Sequence, residues 1–410
     1  MDVRPAVQNW TDFVNTVSLS ARALICALIL IGSLCSFLAT DLVLPAIPDL
    51  PADLGGGVEE GQFVLASFIA GGAAGLFVFG AISWRFERRR LLMISILVFG
   101  VISILCALVT SIWQLIGLRF LQGFFSMVPA VIGPGIIRQL FSEQGATRAL
   151  GILGSLEALA PALGPIAGAG LLLIGDWTLT FNVLGVLALA LTVLILVLPD
   201  WPHREVREEP KGSYLSLIRS PVFLRYSLSQ AFCVGGLIMF VFCAPVMLER
   251  AMGGSLEHFI AMQVCGVATF IIASNTVGWL INRFGAERMI VLGTALSATS
   301  TLGMVIYAVS GFAEPIGVIL LFIPFNMGLG FRGPPGFLRA VIAADGQDDR
   351  GSSLIILSIF GIASGFTALL APFVEQGLLL VSLAALAIEG LALLTLLILP
   401  ELKTETPDRH

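Results

Sequence analysis

What most limits this chain is a repeated pattern, twelve long apolar runs separated by shorter polar connections. The runs cover 22–47, 61–83, 91–110, 112–137, 149–173, 178–198, 223–247, 257–281, 289–309, 315–337, 351–372 and 377–399. About 20 mostly apolar residues in an α-helix match the ~30 Å hydrocarbon core of a bilayer. In lipid every backbone N–H and C=O needs an internal partner, and a helix supplies these partners within itself. Composition leaves no soluble alternative: 57% of residues are hydrophobic and 12% charged, with mean hydropathy +0.98, against about 25% charged in soluble domains. The prediction is an all-α integral membrane protein of 12 transmembrane helices with the lipid bilayer as its solvent. The first run is too long for a signal peptide and leads into eleven more.

Basic residues set the orientation. Of the 22 Lys and Arg, 19 fall on one side, in the connections or at run ends, Arg250 alone falls on the other, and Arg119 and Arg332 lie deep within runs. The positive-inside bias puts the crowded side, and both termini, in the cytoplasm. The longest connection, 199–221, is polar and proline-bounded, and it divides the chain into 1–198 and 222–410 with six runs each. Trp10, Trp84, Trp113, Trp177, Trp201 and Trp279 stand at or near run ends, which predicts interfacial anchoring.

Several chemistries are excluded. The six cysteines, Cys26, Cys35, Cys106, Cys233, Cys243 and Cys265, all lie in apolar runs without a C-x-x-C pair, so they read as packing residues. His203, His258 and His410 are scattered over polar segments, and no His/Cys/carboxylate cluster suggests a metal site. No phosphate-binding glycine loop or nucleophile motif is present, which excludes an ATP-driven pump and an enzyme on this chain alone. A net charge of −5 argues against nucleic acid. No cofactor is implied.

The two halves repeat one another. Gly80 opens GAISWRFERRR after the second run, and Gly278 opens GWLINRFGAER after the eighth, 198 residues on. Pro134-Gly135-x-x-Arg138 recurs as Pro335-Gly336-x-x-Arg339 at an offset of 201, and Arg148 recurs as Arg350 at 202. Four further patterns carry a resemblance. They are Asp41-x-x-x-Pro45-x-x-Pro48 in the first run, the connection from Gly80 through Arg85 and Arg88, Arg119-x-x-Gln122-Gly123 in the fourth run, and Gly164-Pro165-x-x-Gly168 in the fifth. With twelve runs duplicated six plus six, the chain resembles the major facilitator superfamily. Within it, the chain is similar to the drug:proton antiporters of the bicyclomycin/chloramphenicol-resistance type. The connection motif departs from the family pattern: Trp84 stands for its acid and Glu87 for its glycine, while the second copy has Asn282 for the acid and keeps Gly285. The resemblance implies two pseudo-symmetric six-helix bundles, alternating access, and export, the last favoured by Gly164-Pro165-x-x-Gly168.

Ionisable residues inside a span cost about 2.5–3.5 kcal/mol on insertion scales, so each needs a reason. Asp41 and Arg119 both fall about 10 Å from the same end of their runs, at 1.5 Å per residue. An ion pair there lowers the burial cost of both partners. It reads either as a proton-coupling pair, which the resemblance favours, or as a structural tie between helices. Glu157 and Arg332 fall about 24 Å down, one in each half, and make a candidate gate. The resemblance also places Arg332 where relatives carry small or neutral residues, which points to an anionic or zwitterionic substrate. Glu389 has no obvious partner and reads as a helix-packing acid. Gln122, Asn275, Asn326 and Arg332 are the candidate cavity residues. Gly80, Arg85, Arg88, Gly123, Gly164, Pro165 and Gly168 are the candidate conformational motifs.

The expectation is a monomeric, proton-coupled exporter of small organic molecules in a bacterial cytoplasmic membrane. One alternative keeps the fold but exports an endogenous metabolite such as a siderophore, amino acid or sugar. A second is a transporter-like sensor that has lost transport, suggested by the altered connection motif.

Overall fold

The computed structural model describes residues 19–47, 50–198, 212–312 and 314–402, and among them there is helix but no strand. The longer helices are α1 (Leu19–Asp41), α2 (Val58–Ile82), α3 (Arg88–Cys106), α4 (Ile112–Ser126), α5 (Val128–Leu140), α6 (Glu143–Leu172) and α7 (Trp177–Val197). They continue with α8 (Pro221–Val246), α9 (Leu256–Phe284), α10 (Ala286–Val309), α11 (Pro315–Ala343), α12 (Asp348–Leu370) and α13 (Leu378–Ile398). Eleven segments among the described residues are long and apolar enough to cross a membrane, with α4 and α5 together counting as one. The fifth expected run lies in α6, whose described apolar part is Leu163–Leu172.

Prolines explain where helices depart from the runs. The first run was expected to continue to residue 47, but α1 stops at Asp41 and a tighter turn covers Leu44–Ala46. Pro45 has no N–H to donate to the Asp41 carbonyl, and its ring crowds that carbonyl four residues back. The fourth run breaks at Met127, with Pro129 in the first turn of α5, where proline is tolerated. The carbonyl of Ser126 at this break accepts from the Ser36 hydroxyl of α1.

The chain falls into two compact units. The first runs to Phe141 and resumes at Leu159, and the second takes Ser142–Ala158 together with the chain from residue 211 onward. The division expected at 199–221 therefore differs in one respect, since α6 gives its first turns to the second unit. Gly151 packs against the Ser274 carbonyl of α9 at a separation that leaves no room for a side chain, and Ser155 lies 3.2 Å from the Ser274 hydroxyl.

Within the first unit, α2 and α4 cross at backbone contact. A Cβ on Gly71, Gly75 or Gly123 would run into the carbonyl of Phe120, Phe124 or Phe68 respectively. Close approach through small residues is the usual packing of helices in lipid. The core beside this crossing holds Val43, Leu50, Val64, Cys106, Leu115 and Phe181. The second unit is built around Phe240, Phe322 and Phe325, packed ring against ring. Trp113 and Trp279 are exposed as expected of anchors, but Trp177 is buried edge-on against Phe181, while Trp10 and Trp201 lie outside the described residues.

Candidate functional site

The first unit holds a buried polar network centred on Arg119, which is 0% exposed. The close α2–α4 crossing brings the Val64 carbonyl within 3.3 Å of its Nε. Nη1 donates to the Ala39 carbonyl at 3.0 Å and to Gln122 Oε1 at 2.7 Å. Ala39 is among the last four residues of α1, whose carbonyls have no partner inside the helix. Arg119 therefore caps the helix end that Pro45 creates. Gln122 Nε2 in turn donates to the Ser103 hydroxyl at 2.7 Å, which donates to the Phe99 carbonyl at 2.7 Å. The guanidinium lies over the Phe68 ring at 4.3 Å. Nη2 alone is buried without a hydrogen-bond partner among the described residues.

Asp41 was expected to pair with Arg119. No ion pair joins them here; Arg119 instead bonds the backbone two residues before Asp41. The half-buried Asp41 packs on α6, where a Cβ on Gly164 would collide with the Asp41 Cβ and one on Gly168 with the Leu42 carbonyl. Two motifs far apart in sequence thus meet. The glycines of Gly164-Pro165-x-x-Gly168 are what let α6 lie directly against the end of α1.

Arg332, in the second unit, is also fully buried, and it donates to Ser229 of α8 through the carbonyl at 2.7 Å and the hydroxyl at 3.2 Å. No ion pair links it to Glu157, which is half-buried. The expected gate is thus not formed in this structure, and the nearest acid identified beside Arg332 is Glu389. Gln122, Asn326 and Arg332 were expected to line a cavity. All three are buried, with Asn326 donating to the Phe322 carbonyl of its own helix at 2.9 Å. Asn275 is exposed, and its amide reaches Ser155 at 3.0 Å and the Ile271 carbonyl at 2.8 Å. Each of these polar groups satisfies a helix neighbour, because rotation of a helix about its axis decides which residues face a cavity.

The two copies of the connection motif share an arginine stack. Arg85 lies over Trp84 at 5.1 Å and Arg283 over Phe284 at 5.6 Å. Gly80 is buried near the end of α2. The motif glycine is retained where the backbone requires it, since Gly285 has φ 84° between α9 and α10. Its counterpart Glu87 has φ −62° and ψ 126°, an extended conformation open to any residue. Arg88 donates to Gln139 at 2.8 Å, and Arg89 donates to the carbonyls of Ile195, Leu196 and Leu198 at the end of α7.

The second copy carries an acid that the sequence reading missed. Glu287 forms an ion pair with the buried Arg225 and accepts from the Tyr226 hydroxyl at 2.8 Å. Arg225 also donates to the carbonyls of Leu396 and Leu399 at the end of α13. The missed signal was an acid two residues past Gly285, with a lone arginine at the start of the seventh run. Arg339 of the repeated Pro-Gly-x-x-Arg pattern pairs with Glu143 at 2.8 Å. Nearby, outside the spans, burial pushes the Tyr214 hydroxyl up to about 12, so it stays neutral. No group of three or more His, Cys, Asp or Glu able to hold a metal occurs among the described residues.

Residues 29–372 match the Major Facilitator Superfamily. A bicyclomycin resistance protein homolog of Haemophilus influenzae is 24% identical over 274 residues, which span 65% of this chain and 69% of that one. The multidrug resistance protein MdtM of Salmonella typhimurium is 29% identical over 251 residues, 60% of this chain and 61% of that one. Among solved structures, the proton:xylose symporter XylE bound to 6-bromo-6-deoxy-D-glucose superposes with TM-score 0.73 at 13% identity, covering 93% of this chain and 96% of that one. The chain belongs to the major facilitator superfamily, a family of transporters, and it is a multi-pass membrane protein. Its relatives are of the bicyclomycin/chloramphenicol-resistance type, as the sequence motifs imply.

Proposed function

We propose that this protein exports small organic molecules, drugs among them, across a bacterial cytoplasmic membrane in exchange for protons. In this reading α6 is the twelfth membrane helix, the repeated motifs reflect two pseudo-symmetric six-helix bundles, both termini are cytoplasmic, and the monomer works by alternating access. The resistance relatives and the basic-residue asymmetry support export from the cytoplasm.

One observation carries the proton assignment, the seating of Asp41 against Gly164 at the capped end of α1. A carboxylate removed from water needs a cation or hydrogen bonds to hold its charge. Arg119 is one helix cap away, with Nη2 as its remaining donor. When Asp41 is neutral, Arg119 caps Ala39; when Asp41 ionises, Nη2 is the donor available to it. Substrate entering beside Asp41 then competes with the proton.

The test is ethidium efflux from cells, with and without a protonophore, for wild type and Asp41→Asn. Export driven by protons stops in both the poisoned cells and the variant. Wild-type efflux that ignores the protonophore refutes the coupling. Absence of efflux for ethidium, chloramphenicol and a panel of metabolites favours the sensor reading, which Trp84 in place of the motif acid supports.

A further inference from the structure

Outside this site, the second unit buries a polar cluster that the function has not used. Glu389 is the only ionisable residue of α13 and is 0% exposed. Its Oε2 accepts from the Cys233 thiol of α8 at 3.1 Å, while Oε1 has no partner among the described residues. Arg332 of α11 stands close enough to act electrostatically on both Glu389 and Cys233. Its two terminal nitrogens are held by Ser229, and its Nε has no partner among the described residues. Gln230 Oε1 is likewise buried without a partner among the described residues.

We propose that Glu389 is a second proton-carrying group, which releases its proton when Arg332 exchanges Ser229 for the Glu389 carboxylate. The inference rests on the proton-coupled reading only for its role in transport, not for its chemistry. Ser229 and Cys233 are four residues apart on α8, so they share a face one turn, about 5.4 Å, from each other. A guanidinium moving one turn along that face passes from Ser229 to the acid held by Cys233. Gly336 keeps the space beside it clear, since a Cβ there would lie 2.9 Å from both Arg332 Nη2 and Gln230 Oε1.

The surroundings leave Arg332 as the group that decides the charge of Glu389. From α8 the facing titratable group is Cys233, and from α11 it is Arg332. α10 contributes the neutral Thr294 hydroxyl to Cys233. The ionisable residues of α10 stand in its first turn (Glu287, Arg288) and near its far end (Tyr307), and those of α12 (Asp348, Asp349, Arg350) stand in its first turn. A buried carboxylate without a cation is costly, so Glu389 is neutral while Arg332 is on Ser229 and ionised once Arg332 reaches it. The carboxyl O–H bond breaks, its electron pair stays on the carboxylate and the proton passes to water; Arg332 stays charged throughout, so the cluster goes from one net positive charge to neutral.

The Cys233 S–H bond reports the outcome directly, because its infrared stretch shifts when its acceptor gains or loses charge. Spectra of purified protein are recorded from mildly acidic to alkaline pH for wild type, Cys233→Ala, Glu389→Gln, Arg332→Met and Asp41→Asn. The band lost in Cys233→Ala should move with pH in wild type and Asp41→Asn. It should be fixed in Glu389→Gln, and it should hold its acidic position throughout in Arg332→Met. A wild-type band that never moves, or one that still moves in Glu389→Gln, overturns the proposal. A normal shift in Arg332→Met overturns the exchange. These results are independent of efflux, so a failed protonophore test alone would remove only the role in transport.

Discussion

Replacing Arg119 by methionine separates its structural work from its transport work. The substitution removes the charge at similar length and leaves two acceptors bare, the Ala39 carbonyl and Gln122 Oε1. An orphaned buried acceptor costs about 1–3 kcal/mol, while hydrogen bonds between membrane helices average about 0.6 kcal/mol. Arg119→Met should therefore destabilise by about 1–4 kcal/mol, or about 2–16 °C at about 2–4 °C per kcal/mol for units of this size. Adding Gln122→Leu removes one orphan, and Ser103 keeps its own acceptor in Phe99. The double variant should regain about 1 kcal/mol or more over the single one, yet remain unable to export. A maleimide dye that fluoresces on newly exposed thiols can follow the unfolding, because all six cysteines are free and five are buried. If the double variant melts no higher than the single, the Arg119–Gln122–Ser103 network does not hold the unit as described. If it transports, Arg119 is a structural tie and nothing more.

Three further expectations follow from particular contacts. Gly123→Ala drives a Cβ into the Phe68 carbonyl and should cost about 1–3 kcal/mol or more, whereas Gly117→Ala on the same helix meets nothing within 4 Å and should be neutral or stabilising; equal melting temperatures would contradict the close crossing. Glu287→Gln leaves the buried Arg225 with its carbonyl partners but without its best anion, for a loss of about 1–3 kcal/mol; an unchanged melting temperature would remove Glu287 from the helix-end network. In a background lacking Cys265, a cysteine at Thr110 should react with an impermeant maleimide on intact cells and one at the exposed Leu215 only after permeabilisation; the reverse pattern would invert the orientation.

Hydropathy and charge made most of the helices legible, because each is an average over about 20 residues that tolerates local error, and the duplicated pattern with four short motifs made the family legible. What they could not give was the partner of any one side chain. Asp41 and Arg119 were placed at one depth, but a guanidinium with several donors took the Ala39 carbonyl at the helix end instead of the carboxylate. Arg332 was matched to Glu157 by depth, while the rotation of α8 and α13 set Ser229 and Glu389 beside it instead. Neither rotation is encoded in helices that are apolar nearly all round. Glu287 escapes the family pattern, which puts the acid at the position of Asn282.

The helix-end arginines have a practical consequence for engineering. Arg89 grips the carbonyl of Leu198 at 2.6 Å, and Arg350 grips that of Gly212 at 2.8 Å. The chain is therefore held at Leu198 and at Gly212, the described residues that flank 199–211. That stretch is where a fluorescent reporter, an affinity handle or a protease site can be spliced in without disturbing either unit.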